Sequence, residues 1–344
     1  MFKEKKEPTE ISNLGEFQLI KLLTENNKLR NKSSVYGVGD DAAVLKTNKY
    51  QVITTDLLLE GIHFDLMYSP LKHLGYKAVV ANISDILAMN AIPKQITVSI
   101  AVSNRFSTED IKTLYEGIYL ACDNYKVDLI GGDTSSSVTG LLISITAIGE
   151  VENKKDIVYR KNAKPNDLIC VSGDLGAAYM GLQLLEREKK VFLETGSQQP
   201  DLDGKDYVLE RYLKPEARKD IIRLFNEKAI KPTSMIDISD GLSSEMMHIC
   251  TQSKVGCDIY ASKIPIDVTT GNIAEEFNMD PTIAALNGGE DYELLFTIPI
   301  KDFDKIKDIK EFKIIGNISS EQDGKNIVMD DGTKVELKAQ GWKH

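Results

Sequence analysis

Six aspartates stand beside apolar runs, where neither a polar turn nor a helical surface calls for them. Asp41 closes Gly37-Val38-Gly39-Asp40-Asp41, and Asp56 ends Val52-Ile53-Thr54-Thr55-Asp56. Asp85 is the only charge between Ala78 and Met89, Asp133 follows Gly131-Gly132, and Asp237 and Asp240 flank Ile238-Ser239 ahead of Gly241. Neighbouring carboxylates repel one another unless a cation sits between them. A carboxylate in an apolar helix has to be paired, hydrogen-bonded or metal-bound. Hard divalent cations such as magnesium take oxygen ligands, a few carboxylates together with phosphates of a substrate. Several magnesium ions could neutralise this set and still bridge the oxygens of a nucleoside triphosphate. Phosphoryl transfer asks for positioning and charge stabilisation more than for covalent chemistry. Aspartates without a histidine–serine pair therefore fit it better than they fit nucleophilic catalysis. A bland alternative stands beside each: an Asp-Asp pair after glycine can be a solvated turn, and a lone helical Asp a satisfied core residue.

The rest of the chain narrows the chemistry. With 42 Lys and Arg against 52 Asp and Glu, the net charge of −10 argues against a nucleic-acid backbone as partner. Divalent ions would nevertheless let an acidic protein bind phosphates. No Gly-x4-Gly-Lys-Ser/Thr loop, no protein-kinase catalytic loop and no Gly-x-Gly-x-x-Gly after a strand occurs. The four cysteines lack metal-ligand spacing, which argues against zinc. No run of about 18 uncharged apolar residues could span a membrane. The first residues carry no signal-peptide core, so a cytoplasmic location with reduced thiols is expected.

The elements that must position these residues follow from periodicity. Helical spacing covers Ser12 to about Asn27, and Pro70 opens a helix through Met89. Clean alternation makes Gln95–Ser103 a strand, and Ser107 to Asp110 reads as a capping box for a helix reaching Tyr125. Val127–Ile130 is a short strand running into the Gly131 turn, and Leu141–Val151 is another. A charged connector near Glu152 to Lys155 separates two domains, 1–153 and 154–344. Beyond it come a strand at Leu168–Val171, a helix to about Glu188, helical structure from Asp203 to Asn226, and a strand at Met235 before a helix from Leu242 to Ser253. Further strands are expected at Tyr292–Ile298, Lys313–Ile318 and Asn326–Met329, with a helix from about Asp302. Ser172 to Ala178 is a glycine-bearing strand-to-helix turn, which serves either to cradle phosphate on exposed N–H groups or simply to pack tightly. Ile83-Ser84-Asp85 is echoed by Ile238-Ser239-Asp240, but the flanking residues do not match.

Six motifs occur in order: Gly37 to Ala43, Thr54-Thr55-Asp56 with His63, Asn82 to Asp85, Gly131-Gly132-Asp133-Thr134, Asp237 to Gly241, and Gly288-Gly289-Glu290-Asp291-Tyr292-Glu293-Leu294. Together, over nearly the whole chain, they resemble the thiamine-monophosphate kinase family, part of the ATP-binding superfamily of aminoimidazole ribonucleotide synthetase. The resemblance implies an α+β fold of two domains, with N-terminal strands pairing across a homodimer and the C-terminal domain completing the site. It implies transfer from ATP to thiamine monophosphate, giving thiamine diphosphate and ADP. It further implies that Asp41, Thr54, Thr55, Asp56, Asp85, Asp133, Asp237 and Asp240 hold several Mg2+ ions. Tyr115, Gly132, Asp133, Arg160 and Ser239 would contact ATP, and His63, Glu290 and Trp342 the thiamine phosphate. Arg160 offers a donor fork suited to phosphate, and Trp342 could stack on the cationic thiazolium or the pyrimidine. Asp40 would support the turn that Asp41 uses. Relatives in the superfamily are expected to differ visibly: a selenophosphate synthetase by an N-terminal reactive Cys, and a hydrogenase-maturation dehydratase by a C-terminal Cys. A silent nucleotide-binding scaffold would have no reason to keep so many costly carboxylates.

Overall fold

The computed structural model describes residues 16–38, 43–196 and 200–339, and contacts divide the chain into two compact units. The first comprises 1–86 and 92–152, the second 87–91 and 153–344. Asp40, Asp41 and Trp342 lie outside the described residues.

In the first unit the elements are α1 (Glu16–Thr24), β1 (Ser34–Tyr36), β2 (Val44–Leu45), β3 (Tyr50–Leu59), α2 (Leu71–Ala88), β4 (Ile92–Val102), α3 (Thr108–Tyr125), β5 (Asp128–Ser136) and β6 (Leu141–Val151). Four of the strands form a sheet in the order β3-β6-β4-β5, in which β4 and β5 are parallel and the other pairs antiparallel. The parallel pair is joined through α3, as a crossover connection requires. Ser107 and Asp110 cap α3 reciprocally, side chain to backbone in both directions. Alternation gives the sheet two unlike faces. Ile96, Val98 and Ile100 of β4 and Ile143, Ile145 and Ala147 of β6 are buried. The opposite face carries Thr97, Ser99, Ser144 and Thr146, and on β3 the exposed Ile53, Leu57 and Leu59.

The second unit holds β7 (Leu168–Ser172), α4 (Ala177–Thr195), α5 (Asp206–Leu213), α6 (Lys219–Lys228), β8 (Ser234–Asp237), α7 (Leu242–Ser253), β9 (Gly256–Tyr260), α8 (Val268–Glu276), α9 (Pro281–Asn287), β10 (Leu294–Ile298), α10 (Phe303–Ile306), β11 (Phe312–Ser319), β12 (Lys325–Val328) and β13 (Lys334–Glu336). Seven strands form one sheet, ordered β13-β12-β9-β11-β7-β10-β8, with β9 and β12 its single parallel pair. Leu242, Met246 and Ile249 of α7 share a buried cluster with Ile169, Leu295 and Ile315 from the sheet.

Three expectations need correction. Asp56 does not end its strand, because β3 continues to Leu59 on the apolar Leu57-Leu58-Leu59. Gly131-Gly132-Asp133 is not a turn, since β5 runs through it to Ser136 in register with β4. The segment from Asp203 to Asn226 is two helices, broken around Pro215, where a continuous helix would lose an N–H and clash.

Candidate phosphate and cation site

In the first unit, strand alternation decides which functional side chains meet. Thr54 and Asp56 face α2, while Thr55 faces the other side. The Thr54 hydroxyl donates to Asp85 Oδ2 at 2.6 Å, and Asn82 Oδ1 accepts the Asp56 N–H at 3.1 Å. Asn82 and Asp85 are three apart on α2, so one helical face presents both to β3. Asn82 is itself fixed by donating to the Ala78 carbonyl. Burial, and then the charge of Asp85, push the Asp56 carboxyl up from its ordinary value of 3.8 to about 6. Thr55 is exposed; its hydroxyl donates to the Ile145 carbonyl and accepts from Thr146, on the face away from Asp56. What Thr55 can offer beside Asp56 is therefore its backbone.

Asp133 is not brought to this pair within one chain. It is exposed on β5, two strands beyond β6, paired in register with Ser99, which pairs with Ser144, which pairs with Leu57. Asp133 thus lies on the open face and at the edge opposite Asp56, roughly 14 Å across the sheet at the usual strand spacing. Gly132 precedes it for a clear reason: a Cβ there would stand 1.7 Å from the Val98 carbonyl oxygen of β4. Tyr115 is buried on α3 with its ring tilted 6.2 Å from that of Tyr119, and burial pushes its hydroxyl up to about 12. His63, in the loop after β3, accepts the Leu59 N–H on Nδ1 at 3.0 Å, which leaves Nε2 as the nitrogen able to carry the proton.

The second unit gathers a second group. Asp237 is the last residue of β8 and is buried, as a strand-end carboxylate facing a turn. The turn Ile238 to Gly241 then leads into α7. It is hydrogen-bonded along its length to the Gly288–Glu293 segment: Glu290 N to Ser239 O at 2.7 Å, Tyr292 N to Ile238 O at 2.9 Å, and Ile238 N to Glu293 O at 2.7 Å. Ser239, Asp240 and Glu290 are thereby held on one ledge. Glu290 adopts φ +65° and Tyr292 φ +51°, sparsely populated values for such residues. The exposed Arg160 sits beside β8, because the Met235 N–H donates to the Tyr159 carbonyl.

Three groups given no role by the sequence, two of them inside the Gly288–Leu294 motif, maintain this ledge. Asp291 is buried and accepts the N–H groups of Gly176 at 2.8 Å and Ala178 at 3.3 Å, at the start of α4. The glycine-bearing turn at Ser172–Ala178 is accordingly occupied by the chain's own carboxylate, so its role is packing. Burial pushes Asp291 to about 7 despite Arg211 and those N–H groups. Glu293, also buried, accepts from Ser172, from Arg211 at 2.8 Å and from Arg218. Glu245, in the first turn of α7, accepts the Asp240 N–H at 3.0 Å and lies against the Ser239 hydroxyl at 3.4 Å. Burial, and then Asp240 and Asp237, push it up to about 8 even though Asp240's N–H opposes the shift.

Among the described residues no three Asp, Glu, His or Cys side chains converge tightly enough to hold a metal ion. The chemistry of the donors fits a divalent cation nonetheless. Asp56 beside Asp85, and Glu245 beside Asp237 and Asp240, are carboxylate groups whose mutual repulsion raises the cost of ionisation. A cation relieves that cost. Asp41 and Trp342, expected for metal and substrate, fall outside the described residues.

Comparison with known proteins gives the class first. Residues 39–151 match the family model described as AIR synthase related protein, N-terminal domain. A crystal structure of hydrogenase maturation protein HypE in complex with ATP superposes with a TM-score of 0.74 over 94% of this chain and 95% of that one, at 17% identity, which speaks to the fold. The chain is thus an AIR-synthase-like α+β protein. Within that class, the thiamine-monophosphate kinase of Bacillus subtilis strain 168 is 35% identical over 338 residues, 96% of this chain and 99% of that protein. The structure of AaThiL complexed with AMPPCP and TMP has 32% identity and a TM-score of 0.73, covering all of both chains. The chain belongs to the thiamine-monophosphate kinase family.

Proposed function

We propose that the protein transfers the γ-phosphoryl group of ATP directly to the phosphate of thiamine monophosphate, releasing ADP and thiamine diphosphate. The observation that carries this reading is full-length kinship with thiamine-monophosphate kinases, 35% identity over 96% of this chain for that of Bacillus subtilis. Oxygen of the substrate phosphate attacks the γ-phosphorus as the bond to the ADP oxygen breaks, and the protein's part is to align the two phosphates and offset their charge. Arg160 supplies guanidinium donors to the nucleotide, and Ser239 a hydroxyl. His63 and Glu290 orient the thiamine phosphate, with the His63 ring fixed by the Leu59 N–H on Nδ1. Thr54 and Asn82 keep Asp85 and Asp56 aimed from strand and helix together. Asp41, Asp56, Asp85, Asp133, Asp237 and Asp240, with Thr54 and Thr55, would hold Mg2+, which when bound offsets the phosphates' negative charge.

The same reading includes a homodimer and a cytoplasmic location. The open sheet face, with Ile53 66% and Leu57 50% exposed on an edge strand, supports association through the first unit. A second copy is also a source for an Asp133 near Asp56. No helix among the described residues is long and apolar enough to cross a membrane. The test is product analysis: ADP and thiamine diphosphate should form together, only with thiamine monophosphate and Mg2+ present. Turnover with an aminoimidazole precursor or selenide, and none with thiamine monophosphate, would refute the assignment.

A further inference from the structure

The turn before α7 has an unusual problem of support. Gly241 occupies the cap position at φ +118°, and a Cβ there would stand 2.8 Å from the Leu286 carbonyl oxygen and 3.0 Å from the Asn287 backbone. The cap must therefore be glycine, and glycine has no side chain to accept the free N–H groups of a helix start. Glu245, one turn inside the helix, instead braces the turn ahead of that cap. Its Oε1 accepts the Asp240 N–H at 3.0 Å and is 3.4 Å from the Ser239 hydroxyl, while its Oε2 is buried with no hydrogen-bond partner. The residue is 2% exposed, so one of its oxygens forgoes water and receives nothing in return. Ser239 is simultaneously held from the other side, where its carbonyl accepts the Glu290 N–H.

We propose that Glu245 is a positioning residue of the nucleotide site. By gripping the Asp240 amide and the Ser239 hydroxyl it sets the direction in which both side chains face Mg2+-bound nucleotide, without touching it. The inference rests on the functional reading of Ser239 and Asp240 given above. Its effect falls first on the nucleotide and the cation, and reaches the thiamine phosphate only indirectly, through the Glu290 N–H that the Ser239 carbonyl accepts.

The experiment compares full-length wild type with Glu245→Ala and Glu245→Gln. Binding of AMPPCP with Mg2+ is measured by calorimetry, KM is measured for each substrate, and unfolding midpoints are recorded. Glu245→Ala should weaken AMPPCP binding and raise the ATP KM by about 10-fold or more, the scale for losing a support behind a ligand. KM for thiamine monophosphate should move less than about 2-fold. Glu245→Gln, whose amide oxygen still accepts both hydrogens, should recover nucleotide binding to within about 3-fold of wild type. If Glu245→Ala does not fold, Glu245→Asp, one methylene too short to reach the Asp240 amide, stands in for it with the same expectation. Wild-type nucleotide binding in the Ala or Asp variant overturns the inference. So does a Gln variant as impaired as Ala, which would make the charge itself the contact, or equal losses for both substrates. A wild-type protein inactive with thiamine monophosphate refutes the functional reading instead, and AMPPCP binding still decides the role of Glu245.

Discussion

Replacing Asp56 by Asn should remove a pH-dependent penalty on the metal-free protein. Burial and the Asp85 charge hold the Asp56 carboxyl at about 6 in the folded chain, against an ordinary 3.8. Between those two values the folded state binds more proton than the unfolded state, so stability falls as pH rises through the window and levels off above about pH 6. Two pH units at 1.36 kcal/mol each set a ceiling of ~3 kcal/mol. Asp56 is only half-buried, and water screening brings this to ~1–2 kcal/mol. For a unit of this size that is a fall of ~2–8 °C in unfolding midpoint between pH 4 and pH 7. Other groups titrate over the same range, so the informative quantity is wild type minus Asp56→Asn, measured by thermal unfolding in chelator at closely spaced pH values. Asn keeps the backbone bond to Asn82 and cannot ionise, so the difference isolates the carboxylate. Saturating Mg2+ should then raise the wild-type midpoint more at pH 7.5 than at pH 5, where it has to displace a proton. Parallel pH profiles for the two proteins, or a magnesium effect independent of pH, would refute the reasoning.

Glu293→Ala should destabilise the second unit by ~3–5 kcal/mol, since it strands Arg211 and Arg218 against a buried site. Denaturant unfolding followed in that unit checks it, and a loss below ~1 kcal/mol would show the network to be dispensable. Replacing Ile53 and Leu57 together by Lys should convert the proposed dimer to monomer in sedimentation equilibrium, because both project from the open face of the sheet. An unchanged sedimenting mass would place any interface elsewhere.

Much of the fold was legible where a single local rule applied. Ser107 and Asp110 form the capping box that their spacing announces. Leu141–Val151 is a strand over the expected span, its burial alternating up to Ile148. β9 escaped notice because Asp258 interrupts its apolar run; the structure satisfies it with Asn326 and Lys334, residues distant in sequence. α8 and α9 were signalled by Asp267 and Asp280, which accept the N–H groups of Thr269 and Thr282, and in α9 by Pro281 at the first helical position. Those caps are short-range signals that composition masked. In the site, residue types pointed to cations and phosphates, but not to the geometry. The different faces taken by Thr54 and Thr55 follow from the alternation of β3, and the separation of Asp133 from Asp56 follows from sheet order. The echo between Ile83-Ser84-Asp85 and Ile238-Ser239-Asp240 has no structural counterpart: the first is within α2, the second in a strand-to-helix turn. Glu293, Arg211 and Arg218 are far apart in sequence, so their pairing required the fold.

The outer edge of β3 carries a further consequence, for how the chain behaves while it folds. Ten residues long and ending in Leu57-Leu58-Leu59, it pairs with β6 on one side only among the described residues. Unprotected edges of that length recruit whatever extended backbone is nearby. Newly made chains therefore face a competition between orderly pairing and off-register aggregation, and both accelerate with concentration. Slow, cool expression favours the first outcome.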